Sequence, residues 1–141
     1  MVYVVPVANN PDNLGIVFAD ENGKAKGNFV SKAMSNENYP SLDPTAQFVT
    51  YTINVGEQPS YALGLSRRNK DDSFDLVSIS ATLLSDTPIR TAWIDPDKIV
   101  AGVCDGESCN IFVYSDSWLK PNPLVKINNA TALGNIVYRP A

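Results

Sequence analysis

Tyr61-Ala62-Leu63-Gly64-Leu65, then a polar turn, then Phe74-Asp75-Leu76-Val77-Ser78 is the stretch on which the fold turns. The same pattern stands earlier as Leu14-Gly15-Ile16-Val17-Phe18 and Gly27-Asn28-Phe29-Val30-Ser31. It returns later as Ile99-Val100-Ala101-Gly102-Val103 and Asn110-Ile111-Phe112-Val113-Tyr114. Each copy places two short β-rich runs around Gly, Asn, Asp or Lys, which is the signal of a hairpin. A further β-like run precedes each copy, at 2–8, 48–54 and 89–95, and a last one follows at 136–140.

Between these runs the chain is punctuated by turn formers: Asp20-Glu21-Asn22-Gly23, Gly56-Glu57-Gln58-Pro59 and Asp95-Pro96-Asp97. Residues 34–45 carry Asn36, Asn38, Pro40, Asp43 and Pro44 and read as a loop with room for one short outer strand. Apolar residues alternate or cluster in fours to sixes, so no helix is expected beyond a single turn near 43–50. The fold class is all-β.

The runs before each hairpin place Val4, Tyr51, Trp93 and Tyr138 at matching positions, about 42 to 47 residues apart. A period of that length with about four strands per unit is the signature of a β-propeller blade. The 141 residues form one domain of three blades, about 1–46, 47–86 and 87–134, with a closing strand at 135–141. Three blades do not close a ring. The expectation is a homodimer that completes six blades, because an open stack exposes an apolar face and unpaired edges. The competing architecture is a single-chain β-sandwich or barrel.

Composition removes several functions. The net charge is −4 and the only adjacent basic pair is Arg67-Arg68, so the basic footprint that nucleic acid requires is missing. There is no histidine, which excludes a Ser-His-Asp triad and His-ligated zinc within one chain. No apolar run is long enough for a membrane span. No metal or cofactor is implied. The start, Met1-Val2-Tyr3-Val4-Val5-Pro6, lacks a basic leader, so the location is expected to be cytoplasmic, with non-classical secretion left open. Cys104 and Cys109 flank a presumptive turn and could bridge, but in the cytosol two reduced thiols are the favoured expectation. Asn129-Ala130-Thr131 fits the N-glycosylation pattern and, without a secretory signal, reads as a chance match.

The small-residue run Val100-Ala101-Gly102-Val103 followed by Asn110-Ile111-Phe112-Val113-Tyr114 resembles the blades of fungal fucose-specific lectins. The resemblance implies a propeller with sugars bound in clefts between blades. It also implies an Arg and a Glu about a dozen residues apart on the sugar hydroxyls, and a Trp or Tyr stacked on the sugar's apolar face. This chain departs from that pattern: after Arg67, Arg68 and Arg90 the corresponding positions hold residues such as Ser80 and Gly102 rather than Glu.

The candidate ligand-binding residues are Tyr51, Trp93 and Tyr138, aromatics on inner strands that can stack on a ligand or pack blade on blade. Arg90 and Arg139 accompany them, because an arginine on an inner strand must be paired or line a polar cavity. Asp95 and Asp97 read as turn formers and Trp118 as a rim anchor or a cap. Two functions remain beside a structural interaction role, for which the sequence offers nothing specific. One is a lectin-like module for a glycan or small ligand. The alternative is a cofactor-free isomerase or cyclase acting on a natural product, with the channel as its pocket.

Overall fold

The computed structural model describes residues 1–7, 10–30, 37–55, 60–115, 122–137 and 139. Within them the chain is all-β, with no helix. Its strands are β1 (Val2–Val7), β2 (Asn10–Ala19), β3 (Ala25–Phe29), β4 (Glu37–Leu42), β5 (Phe48–Asn54), β6 (Tyr61–Arg68), β7 (Phe74–Ser85), β8 (Arg90–Asp95), β9 (Lys98–Asp105), β10 (Ser108–Tyr114) and β11 (Asn122–Asn128). They form three antiparallel sheets, β1-β2-β3, β4-β5-β6-β7 and β8-β9-β10-β11, each following chain order. The three hairpins read from the sequence are β2–β3, β6–β7 and β9–β10. Among the described residues no helix is long and apolar enough to cross a membrane.

The sheets stack in chain order with the second in the middle. Ile16, Phe18 and Val30 of the first sheet and its following residue pack against Val49, Tyr51, Ile53 and Phe74 of the second. On the other side, Leu63 meets Ile89, Ile99, Ala101, Val103 and Tyr114. The second of these interfaces also carries a polar seam. Thr50 and Thr52 are fully buried. Thr50 Oγ1 lies 2.9 Å from Thr91 Oγ1, and the Ile89 N–H donates to Thr52 Oγ1 at 3.2 Å. Buried hydroxyls persist in a core only when paired in this way.

β4 is a correction. It was expected as the outer strand of the first unit, and it pairs with β5 as the first strand of the second sheet. The cause is the turn that joins them. The Asp43 carboxylate is 3% exposed and accepts hydrogen bonds from the N–H groups of Thr45, Gln47 and Phe48. The Asp43 N–H donates to the Phe48 carbonyl at 2.9 Å, closing the hairpin. An Asp that satisfies several backbone donors of its own turn makes that turn tight. β5 therefore lies between β4 and β6, and Tyr51 is on an interior strand rather than an innermost one.

The closing strand is a second correction. Residues 130–137 and 139 belong to no sheet. This segment instead lays side chains across the third sheet, where a Cβ on Gly102 would come within 2.5 Å of Leu133 and 3.1 Å of Ile136. Gly102 has no side chain, and that absence is the seat these two residues occupy. The rest of the expected closing strand, including Tyr138, lies outside the described residues, as does Trp118.

The cysteines are a third correction. Cys104 and Cys109 are direct cross-strand partners in the β9–β10 hairpin and form a disulfide, with Cα atoms 4.0 Å apart. Gly106, at φ 60°, makes the turn between them possible. Ser85, the last residue of β7, and Asp86, which follows it, tie onto this hairpin: Ser85 Oγ accepts from Cys104 N–H at 2.9 Å and Asp86 Oδ2 from Gly106 N–H at 2.7 Å.

The phase of the repeat also differs from the reading above. Val4 and Tyr51 belong to the same cluster between the first two sheets. They face each other, so they are not equivalent positions of a rotating repeat. Gly64 pairs with Tyr51 on the side of the first sheet, whereas Gly102 pairs with Arg90 on the face turned away from the second.

Candidate functional site

The register of β8 separates the two candidate residues it carries. Arg90 and Trp93 are three residues apart and so point to opposite faces of the strand. Trp93 packs toward the second sheet. Its Nε1–H donates to the Ser41 carbonyl at 3.0 Å, and its ring centroid lies 6.3 Å from that of Phe48. Arg90 is opposite Gly102. Because β8 is the edge strand, the Arg90 side chain can reach around to β4, where Cζ stands 3.4 Å above the centroid of the Tyr39 ring.

Tyr39 reaches that position through an irregularity in β4. The pairing register with β5 shifts between Asn38 and Ser41. Tyr39 itself has φ 50°, and its N–H donates to Asn38 Oδ1 at 2.9 Å. A tyrosine in the left-handed region is strained, and bulges of this kind re-aim a side chain.

Together these residues line a cleft of about 350 Å³, formed by Tyr39, Pro40, Ser41, Arg90, Thr91 and the C-terminal segment Asn135, Ile136 and Val137. The lining combines hydroxyls, one amide and one guanidinium with apolar surface from Pro40, Ile136 and Val137. Among the described residues it holds no carboxylate. Among the described residues the Arg90 guanidinium makes no hydrogen bond or ion pair, and it stacks on the Tyr39 ring. A guanidinium stacked on an aromatic face keeps its N–H edge oriented and available to an acceptor.

Of the sequence candidates, the structure brings Arg90 to the cleft and sets Trp93 immediately behind its Ser41 wall. Tyr51 is 1% exposed, its hydroxyl 2.9 Å from Ser66 Oγ, and its ring serves the core between the first two sheets. Arg139 is exposed and is not part of the lining. Tyr138 lies outside the described residues. Tyr39, Ser41 and Thr91 were missed. The signal was Asn38-Tyr39-Pro40, an aromatic beside proline in a stretch read as loop.

A second arginine shows what a structural role looks like in this fold. Arg68 stands over the Phe18 ring at 4.3 Å, and its Nε donates to Asp72 Oδ1 at 2.7 Å. Lys26 reaches the same carboxylate at 3.9 Å. Arg68 is thus both stacked and neutralised, while Arg90 is stacked with no acidic partner among the described residues.

In comparisons with known proteins, no family model, curated protein or solved structure matches the chain.

Proposed function

We propose that this chain is a lectin-like binding module that takes a glycan or a small hydroxyl-rich ligand in the cleft between its second and third sheets. The observation that carries the reading is the Arg90 guanidinium, fixed over Tyr39 with no acidic partner among the described residues. A sugar presents both acceptor oxygens and an apolar C–H face. The lining offers donors from Arg90, Ser41 and Asn135 beside Pro40, Ile136 and Val137. The volume falls at the small end of the range for small-ligand sites. The isomerase or cyclase alternative has less support, since the described lining residues include no carboxylate to share the proton transfers that general acid–base work needs.

The stacked antiparallel meanders support a propeller-like course, with a second copy completing the ring. In that arrangement the incoming sheet would seat on Leu133 and Ile136, which already cover Gly102, and not directly on β9. Light scattering would give twice the chain mass for the dimer and the chain mass if the ring reading is wrong. The Cys104–Cys109 bridge favours an oxidising compartment over the cytosol, in which thiols are kept reduced.

A glycan array followed by amide-shift mapping tests the binding reading. Shifts confined to Tyr39, Ser41, Arg90, Thr91 and 135–137 support it. Binding mapped to another surface removes it.

A further inference from the structure

We propose that Asn129 is an N-glycosylation site. The acceptor pattern Asn129-Ala130-Thr131 has a non-proline middle residue. A match to so short a pattern carries little weight by itself. Two structural observations add to it.

The first is the compartment. N-linked transfer takes place where disulfides form, and the chain carries the buried Cys104–Cys109 bridge. The acceptor sits beside that bridge. Ile127, two residues before Asn129, is the cross-strand partner of Cys109, and the Ala130 N–H donates to the Glu107 carbonyl of the same hairpin at 3.2 Å.

The second is access. Asn129 and Thr131 are both exposed and directly follow β11, the edge strand of the third sheet, which is exposed along its whole length. Asn129 occupies a turn at φ 56°, a conformation that asparagine tolerates better than most residues. Among the described residues the acceptor and its hydroxyl partner both face solvent, as a bulky, solubilising glycan requires.

The chemistry balances without an oxidant. The donor is a lipid-pyrophosphate-linked oligosaccharide. The Asn129 side-chain nitrogen forms a bond to the anomeric carbon of the first sugar. The bond from that carbon to the pyrophosphate oxygen breaks, the lipid pyrophosphate leaves with the electron pair, and the amide nitrogen gives up one proton.

The test is the intact mass of the chain secreted from eukaryotic cells behind a cleavable signal, before and after peptide N-glycosidase. The expected result is a glycan mass that the enzyme removes, leaving Asp in place of Asn at position 129 in the peptide map. Thr131→Ala, which keeps Asn129 and its turn, abolishes it, and so does Asn129→Gln. A secreted, disulfide-bonded chain with unmodified Asn129 overturns the proposal. So does a glycan that persists in Thr131→Ala.

Discussion

The Tyr51 ring lies over Gly64, its direct cross-strand partner, so closely that a Cβ on Gly64 would stand 2.5 Å from Tyr51 Cε2 and 2.8 Å from Cζ. The ring is held from both ends: its body is 1% exposed in the core between the first two sheets, and its hydroxyl is bonded to Ser66. It has nowhere to move. Gly64→Ala is therefore expected to destabilise the chain by about 1–3 kcal/mol, the usual range for overpacking a filled core. Denaturant unfolding of the variant checks it.

Gly102→Ala gives the contrast. The nearest obstacles there are the side-chain tips of Leu133 and Ile136, on a segment outside any sheet. Those tips can rotate away, so the loss is expected to be smaller than for Gly64→Ala. Side-chain methyl resonances of Leu133 and Ile136 should shift in the Gly102 variant. Unshifted methyls would mean that the segment does not lie on the third sheet.

The disulfide closes a very short loop. On the chain-entropy account, removing it by the double change Cys104→Ser and Cys109→Ser lowers stability by about 2 kcal/mol. Thiol titration of the unfolded, unreduced protein should find no free thiol. Two free thiols in protein from an oxidising host would contradict the bridge.

Asp43 holds the β4–β5 turn, and with it the position of Tyr39. Asp43→Ala leaves the Gln47 and Phe48 N–H groups without their acceptor. Hydrogen bonds to a charged group contribute about 1.5–3 kcal/mol each, and part of that is recovered by water at the turn. A loss of about 2–3 kcal/mol is expected, read as a lower denaturant midpoint, together with altered resonances at Tyr39 and Arg90. Asp43→Asn keeps an acceptor and should lose less.

Asp71 titrates below the ordinary aspartate range, because the Ser73 hydroxyl and then the Ser73 N–H donate to its carboxylate. A folded-state value below the unfolded one contributes stability that is present above the unfolded value and is lost as pH falls through the folded one. NMR titration should find Asp71 the more acidic in the native chain, and Ser73→Ala should move it back upward.

Much of the fold was legible because hairpins declare themselves locally. Gly23 at φ 78° and the Asp20 carboxylate accepting from Asn22 and Lys24 N–H are the turn that Asp20-Glu21-Asn22-Gly23 announces. What was not legible depended on contacts distant in sequence. A one-residue change of phase moves a side chain to the other face of a strand, and nothing local shows that Val4 faces Tyr51 instead of matching it. The pairing of β4 is set by Asp43, whose carboxylate reads in the sequence as one more loop residue. Arg90 was recoverable, as an arginine in an apolar strand. Its partner Tyr39 was not, because its position comes from a bulge that only the pairing of β4 with β5 reveals.

The most direct test of the binding account is titration calorimetry of the best array ligand against the native chain and Arg90→Gln. A charge-assisted hydrogen bond from Arg90 to a ligand oxygen contributes about 1.5–3 kcal/mol. The stacking on Tyr39 that the variant loses contributes only about 0.5–1 kcal/mol to stability at a partly exposed site. The account predicts affinity at least tenfold weaker with a melting temperature little changed. Unchanged affinity in a folded Arg90→Gln chain would contradict it.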